Sequence, residues 1–189
     1  MNTKVICIAL VAILLVAGVG VYFATSSDDS DNGPEIGDDG KVMAKNCDEY
    51  TITDAAGQTF TFDHTFGPAA ITACTYGGAF FTLAALTGSN LPAYIAGMDL
   101  AYSKGTTFGY FFDEMPDLNN VTDIYSKGTN ANAVISSGAT VVIDLIANQV
   151  KNEATGGLKE KTDPLDIPIL YLNYQSEDPQ VIASGIRMI

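Results

Sequence analysis

Thr140-Val141-Val142-Ile143-Asp144-Leu145 is the stretch on which the fold turns. Five of its six side chains are β-branched or aliphatic, with no polar alternation. A strand with one wet face reads apolar-polar-apolar, whereas a run apolar on every position belongs to a strand covered on both faces. That cover comes from helices, and helices flank the run. Upstream, Asn130 or Asn132 caps a short helix through Ser137, with Gly138 as its stop. Downstream, residues 149–161 are polar and helical in tendency, weakened by Gly156-Gly157.

Moving outward, the same alternation of apolar strand and helix recurs. Residues 167–172 (IPILYL) read as another buried strand. Further strands are expected at 70–73, 94–96 ending at Gly97, and 121–124. Ala79 to Leu86 is an apolar helix, stopped by Gly88. Asp178-Pro179 opens a last helix with proline at its first position. Before all of these, 50–53 and 58–62 alternate around Asp54-Ala55-Ala56-Gly57, the pattern of a β-hairpin. The expectation is an α/β fold: a mainly parallel sheet flanked by helices, a Rossmann-like lobe with an N-terminal hairpin.

Val5 to Ala24 is an apolar run of twenty residues behind Lys4, long enough to span a bilayer as a helix. Lys4 before it and Asp28, Asp29 and Asp31 after it place the N-terminus inside. The lobe is therefore preceded by a transmembrane or signal helix. An uncleaved anchor is the favoured reading; cleavage at Ala24-Thr25-Ser26 is the alternative. Cys7 is too early to carry a lipoprotein anchor, and either reading puts the rest of the chain outside the cytoplasm, at the cell membrane. Residues 25–45 then read as an acidic, flexible linker, 46–175 as the lobe, and 176–189 as the start of a longer helix. The acidic stretch lacks the ligand spacing of a calcium loop.

Composition narrows the function. The 189 residues carry a formal charge of −13, with nine Lys plus Arg against 22 Asp plus Glu. Phosphate backbones are held by displacing counterions with Lys and Arg, so nucleic acid is excluded as a partner. Cys7, Cys47 and Cys74 include no CxxC pair. Two separate thiols at Cys47 and Cys74 are favoured over a bridge, which would need a particular separation. His64 is the lone histidine, too few for a typical zinc site. No nucleophile elbow, P-loop or G-x-G-x-x-G is present, so the chain is not read as an enzyme and no cofactor is expected. Asp113, Glu114 and Asp117 read as a solvated acidic loop rather than a cation site.

The ordered set of motifs resembles the N-terminal lobe of the cobalamin, siderophore and haem substrate-binding proteins of ABC importers. It runs from the hairpin ITDAAGQTFTF (52–62) through Pro68, Leu86-Thr87-Gly88, the strand ending at Gly97 and Asn130-Ala131-Asn132 to Ile167-Pro168-Ile169. The resemblance implies an extracytoplasmic binding component that delivers a metal chelate, such as a ferric siderophore, haem or cobalamin, to a permease in the membrane. Two departures stand out. Ala139-Thr140 replaces the family's Pro-Asp, and Asn132 falls where a glutamate pairs with the permease. The family's ligand lies between two lobes, and this chain is expected to supply one. The alternative is a membrane-anchored scaffold or adhesion domain derived from such a lobe.

In open α/β sheets the ligand meets the carboxyl ends of the strands. Two loops fit that rule. Thr75-Tyr76-Gly77-Gly78 joins a strand to a helix, where glycine lets backbone approach a ligand. Met98 to Tyr110 carries Tyr102, Phe108 and Tyr110, rings suited to planar chelates or equally to core packing. The candidate ligand-binding residues are thus Thr75, Tyr76, Gly77, Gly78, Met98, Tyr102 and Tyr110.

Overall fold

The computed structural model describes residues 34–72, 79–105, 109–125, 129–173, 176, 178 and 180–183. The apolar run 5–24 lies outside them. Among the described residues no helix is long and apolar enough to cross a membrane.

The hairpin forms as its alternation requires. Strand β1 (Asn46–Thr53) pairs antiparallel with β2 (Thr59–His64), in the register Thr51↔Thr61 and Ile52↔Phe60. Its outer face carries Thr51, Thr53, Thr59 and Thr61 in water, while Ile52, Phe60 and Phe62 turn inward onto the core. The turn between the strands is closed by Asp54, whose Oδ1 accepts from the amides of Ala56 and Gln58 at 2.9 Å each.

Five parallel strands follow: β3 (Ala69–Ile71), β4 (Ile95–Met98), β5 (Thr122–Asp123), β6 (Val141–Leu145) and β7 (Ile169–Leu172). They stand in the order β5-β4-β3-β6-β7, with every pairing parallel. All residues of β6 are buried, as expected for a strand covered on both faces. Side chains alternate along a strand, so the sheet feeds two cores. One holds Ile71, Ile143, Leu170 and Leu172 against helix α1 (Ala79–Thr87) and the hairpin. The other holds Ala70, Val142, Ile169 and Tyr171 against α5 (Ala131–Ser136) and α7 (Leu158–Thr162). Gly97 of β4 is needed for the second: a Cβ there would sit 2.5 Å from Ile124 Cγ2. The expected cap of α5 is Asn130, whose Oδ1 accepts from the amides of Asn132 and Ala133.

Three short helices fall where hydrophobic periodicity is weaker. One turn, α2 (Leu91–Tyr94), leads into β4; α3 (Leu100–Lys104) and α4 (Tyr110–Glu114) lie in the stretch read as a loop. Helices of five residues or fewer make too little of a 3.6-residue pattern to be told from loop. The polar stretch after β6 divides into α6 (Gln149–Glu153) and α7, because Gly156 turns the chain at a φ of +75°. The final helix starts as read: Asp178 Oδ1 accepts from the Gln180 amide at 2.8 Å, and positions 180–183 are helical.

The stretch read as linker is tied to the lobe from Pro34 onward. Ile36 and Val42 form an antiparallel bridge, and the Val42 amide donates to the Ala93 carbonyl at 3.1 Å. Lys41 Nζ donates to the carbonyls of Pro92 and Ile95 at 2.7 and 2.6 Å. Burial pulls the Lys41 pKa below its ordinary value, opposed by Asp39 and Asp117. Composition reports the average polarity of this segment, but one valine and one lysine with fitted partners suffice to dock it.

Candidate functional site

The strand order locates the site. From β3 the chain moves outward through β4 to β5, returns to the other side of β3 for β6, and moves outward again to β7. This makes a switch point between β3 and β6, and open α/β sheets take ligands outside the carboxyl ends of the strands at such a point. The sequence-read loop Thr75-Tyr76-Gly77-Gly78 leaves β3 at this point, and it lies outside the described residues. Thr72, the residue just before, is described.

Thr72 continues the β3 ladder, its amide donating to the Ile143 carbonyl at 3.2 Å. Ile71 is level with Ile143, and Asp144 is level with Tyr171. Thr72, Asp144 and Tyr171 therefore form one row across three strands, on the α5–α7 face of the sheet. All three are buried, and Asp144 is 0% exposed. Its carboxylate is held by neutral donors alone. Oδ1 accepts from the Leu145 amide and Asn148 Nδ2, both at 2.7 Å, and Oδ2 from Asn152 Nδ2 at 2.6 Å.

The hydroxyls on either side of Asp144 have no hydrogen-bond partner. Thr72 Oγ1 is one and Tyr171 Oη the other. Burial pushes the Tyr171 phenol up to about 12; the Asn152 side chain opposes that rise, and the carboxylates of Glu153, Asp144 and Asp54 add to it. Asn152 is thus near enough to act on the phenol but not aligned to satisfy its hydroxyl. The same tyrosine receives the hairpin. Its amide donates to Asp54 Oδ2 at 3.2 Å, and its carbonyl accepts from Ala55 at 2.9 Å. The hairpin turn so closes part of the open edge of β7.

The other candidate residues are spread around this end. Met98, read as a ligand contact, ends β4 and is 0% exposed, packed within the first core. Tyr102 lies in α3, its side chain outside the described residues. Tyr110 opens α4, 52% exposed, with its ring 4.2 Å from that of Phe111; partial burial raises its pKa. Cys47 is a free, exposed thiol on β1. His64 pairs with Asp63 at 2.9 Å and packs edge-on against Phe62 and Phe66. Among the described residues no group of three or more His, Cys, Asp or Glu could hold a metal ion.

Sequence reading passed over Thr72, Asp144, Asn148 and Asn152. A signal existed for Asp144, the single charged residue in a run otherwise fit only for burial. Nothing in the sequence linked it to asparagines four and eight positions on.

A five-stranded parallel sheet in this order, with a hairpin docked on one edge, defines a class: the described chain has the fold of part of a TroA-like periplasmic binding protein. The resemblance read from the sequence therefore stands. The particular structure it is similar to is the TroA-like periplasmic binding protein FepB from Veillonella parvula, at 29% identity and a TM-score of 0.65. That match covers 74% of this chain and 41% of FepB. A periplasmic solute binding protein from Veillonella parvula DSM 2008 shares the fold at 22% identity and a TM-score of 0.53, over 74% of this chain and 39% of its own. The heme binding protein HmuT shares it at 17% identity and a TM-score of 0.50, over 86% of this chain and 47% of its own. The chain thus spans about two fifths of the length of the first two. No protein-family model and no curated protein matches it.

Proposed function

We propose that this chain is an extracytoplasmic substrate-binding component of an ABC importer. It takes a metal chelate (a ferric siderophore, haem or cobalamin) and binds it without catalysing a reaction. The observation that carries this reading is the structural likeness to the TroA-like periplasmic binding protein FepB, at a TM-score of 0.65 and 29% identity. The proposed ligand wall is the carboxyl end of the sheet: Thr75 to Gly78 after β3, then Tyr102 and Tyr110 after β4, with Met98 beneath. Its partners are a permease and, through the run 5–24, the membrane.

The matches cover 41% and 39% of those structures, so this wall corresponds to one part of them. The test is titration of the detergent-solubilised full chain with haem, cobalamin and several ferric siderophores, followed by tryptophan-independent tyrosine quenching and calorimetry. One chelate should bind, and the pair Tyr76→Ala and Tyr102→Ala should abolish binding. If none binds, the scaffold reading replaces this one. If the double variant binds unchanged, the ligand wall is wrongly placed. Recovery of all the protein in a soluble external fraction after cell breakage would remove the uncleaved anchor but leave export intact.

A further inference from the structure

The turn leaving β6, Ile146–Asn148, lies beside the switch point where the proposed ligand crevice would be. Asp144 lies at the carboxyl end of β6, fully enclosed, where a polar group needs hydrogen-bond partners. Three N–H groups supply them. One comes from the last residue of β6 and one from the turn that follows it. Leu145 contributes its backbone amide and Asn148 its side chain, both to Oδ1 at 2.7 Å. The third, Asn152 of α6, ties the same carboxylate to the helix that follows. The one-turn 3-10 segment Ile146–Asn148 is therefore bracketed by two bonds to one buried carboxylate. The Gln149 amide on the Ile146 carbonyl and the packing of Ile146 against the second core add to that hold.

We propose that Asp144 is a positioning residue. It holds the turn Ile146–Asn148 in the one conformation that forms the β6 wall of the crevice, and so preorganises that wall for ligand. The ligand part of the proposal rests on the binding function argued above; the fastening of the turn does not. Preorganisation matters here because a wall ordered only on binding would subtract its ordering cost from the affinity.

Two variants separate this role from general stability. Asn148→Ala removes only the tie between turn and carboxylate and leaves the Asp144–Asn152 bond in place. Asp144→Asn keeps the shape but sets an amide against donors. Both are made in the full chain and followed by hydrogen exchange, resolved for the turn (145–149) and for the hairpin (46–64). In Asn148→Ala the turn should lose protection by about tenfold while the hairpin keeps its own, since a local opening need not involve the whole fold. Chelate affinity should fall by about the same factor, because only the competent fraction binds. Asp144→Asn should do both to a greater degree.

Unchanged exchange at the turn in both variants overturns the fastening. Faster exchange at the turn with unchanged affinity shows that the turn is no part of the ligand wall, and overturns the positioning role. Should the unsubstituted chain bind no chelate, the binding function fails and the positioning role with it, while the exchange result still decides whether Asp144 fastens the turn.

Discussion

Replacing Tyr171 with phenylalanine tests the buried polar row directly. The ring is fully enclosed, and its hydroxyl has no hydrogen-bond partner. A buried donor left unsatisfied costs about 1–3 kcal/mol of desolvation. Tyr171→Phe removes that cost and leaves a void of roughly 20 Å3, which at about 24 cal/mol per Å3 costs ~0.5 kcal/mol. The hairpin dock survives, because it uses the Tyr171 backbone and not its side chain. The net expectation is a gain of about 1 kcal/mol, or a melting temperature higher by about 2–4 °C for a chain of this size. The pH dependence gives a second reading. The phenol titrates at about 12 in the fold against 10.0 outside it, so the folded state holds its proton more tightly. That contribution is complete below pH 10 and is lost as pH rises through 12. Linkage puts the loss at about 1.4 kcal/mol by pH 11 and about 2.7 kcal/mol once both states are ionised. Denaturant melts of both proteins at pH 8 and pH 11 supply the comparison, and the difference between them cancels the other eight tyrosines. Tyr171→Phe should melt higher at pH 8 and lose less on going to pH 11. A variant destabilised by 1 kcal/mol or more at pH 8 would refute the reasoning, for it would mean that the hydroxyl makes a bond worth keeping, with Asn152 the nearest candidate.

Two further outcomes follow from packing and from the hairpin dock. Gly97→Ala places a methyl 2.5 Å from Cγ2 of the fully buried Ile124 and should cost about 1–3 kcal/mol in a thermal melt. Asp54→Ala removes the acceptor of the Ala56, Gln58 and Tyr171 amides and should cost about 3 kcal/mol, with faster exchange at Tyr171 and at the hairpin turn.

The sequence by itself determined the element types wherever a local pattern was complete. Alternation around Asp54-Ala55-Ala56-Gly57 specified the hairpin, since a period of two leaves one way to hide Phe60 and Phe62. The unbroken run at Val141–Leu145 specified a strand covered on both faces. The ordered motifs specified the family resemblance. Short helices such as α3 escaped, because five residues do not complete two turns. Of the candidate residues, Met98 was read as the start of a loop but ends β4 and is buried, which a loop-like neighbourhood did not foretell. What only the tertiary structure decided is which residues meet. Strand order makes Thr72, Asp144 and Tyr171 neighbours although 72 and 27 positions separate them along the chain. It also carries the hairpin turn 117 positions to Tyr171. Such contacts depend on the register of parallel strands joined by long crossovers, and no local periodicity encodes that register, because the hydrogen bonds that fix it form only once the sheet has assembled.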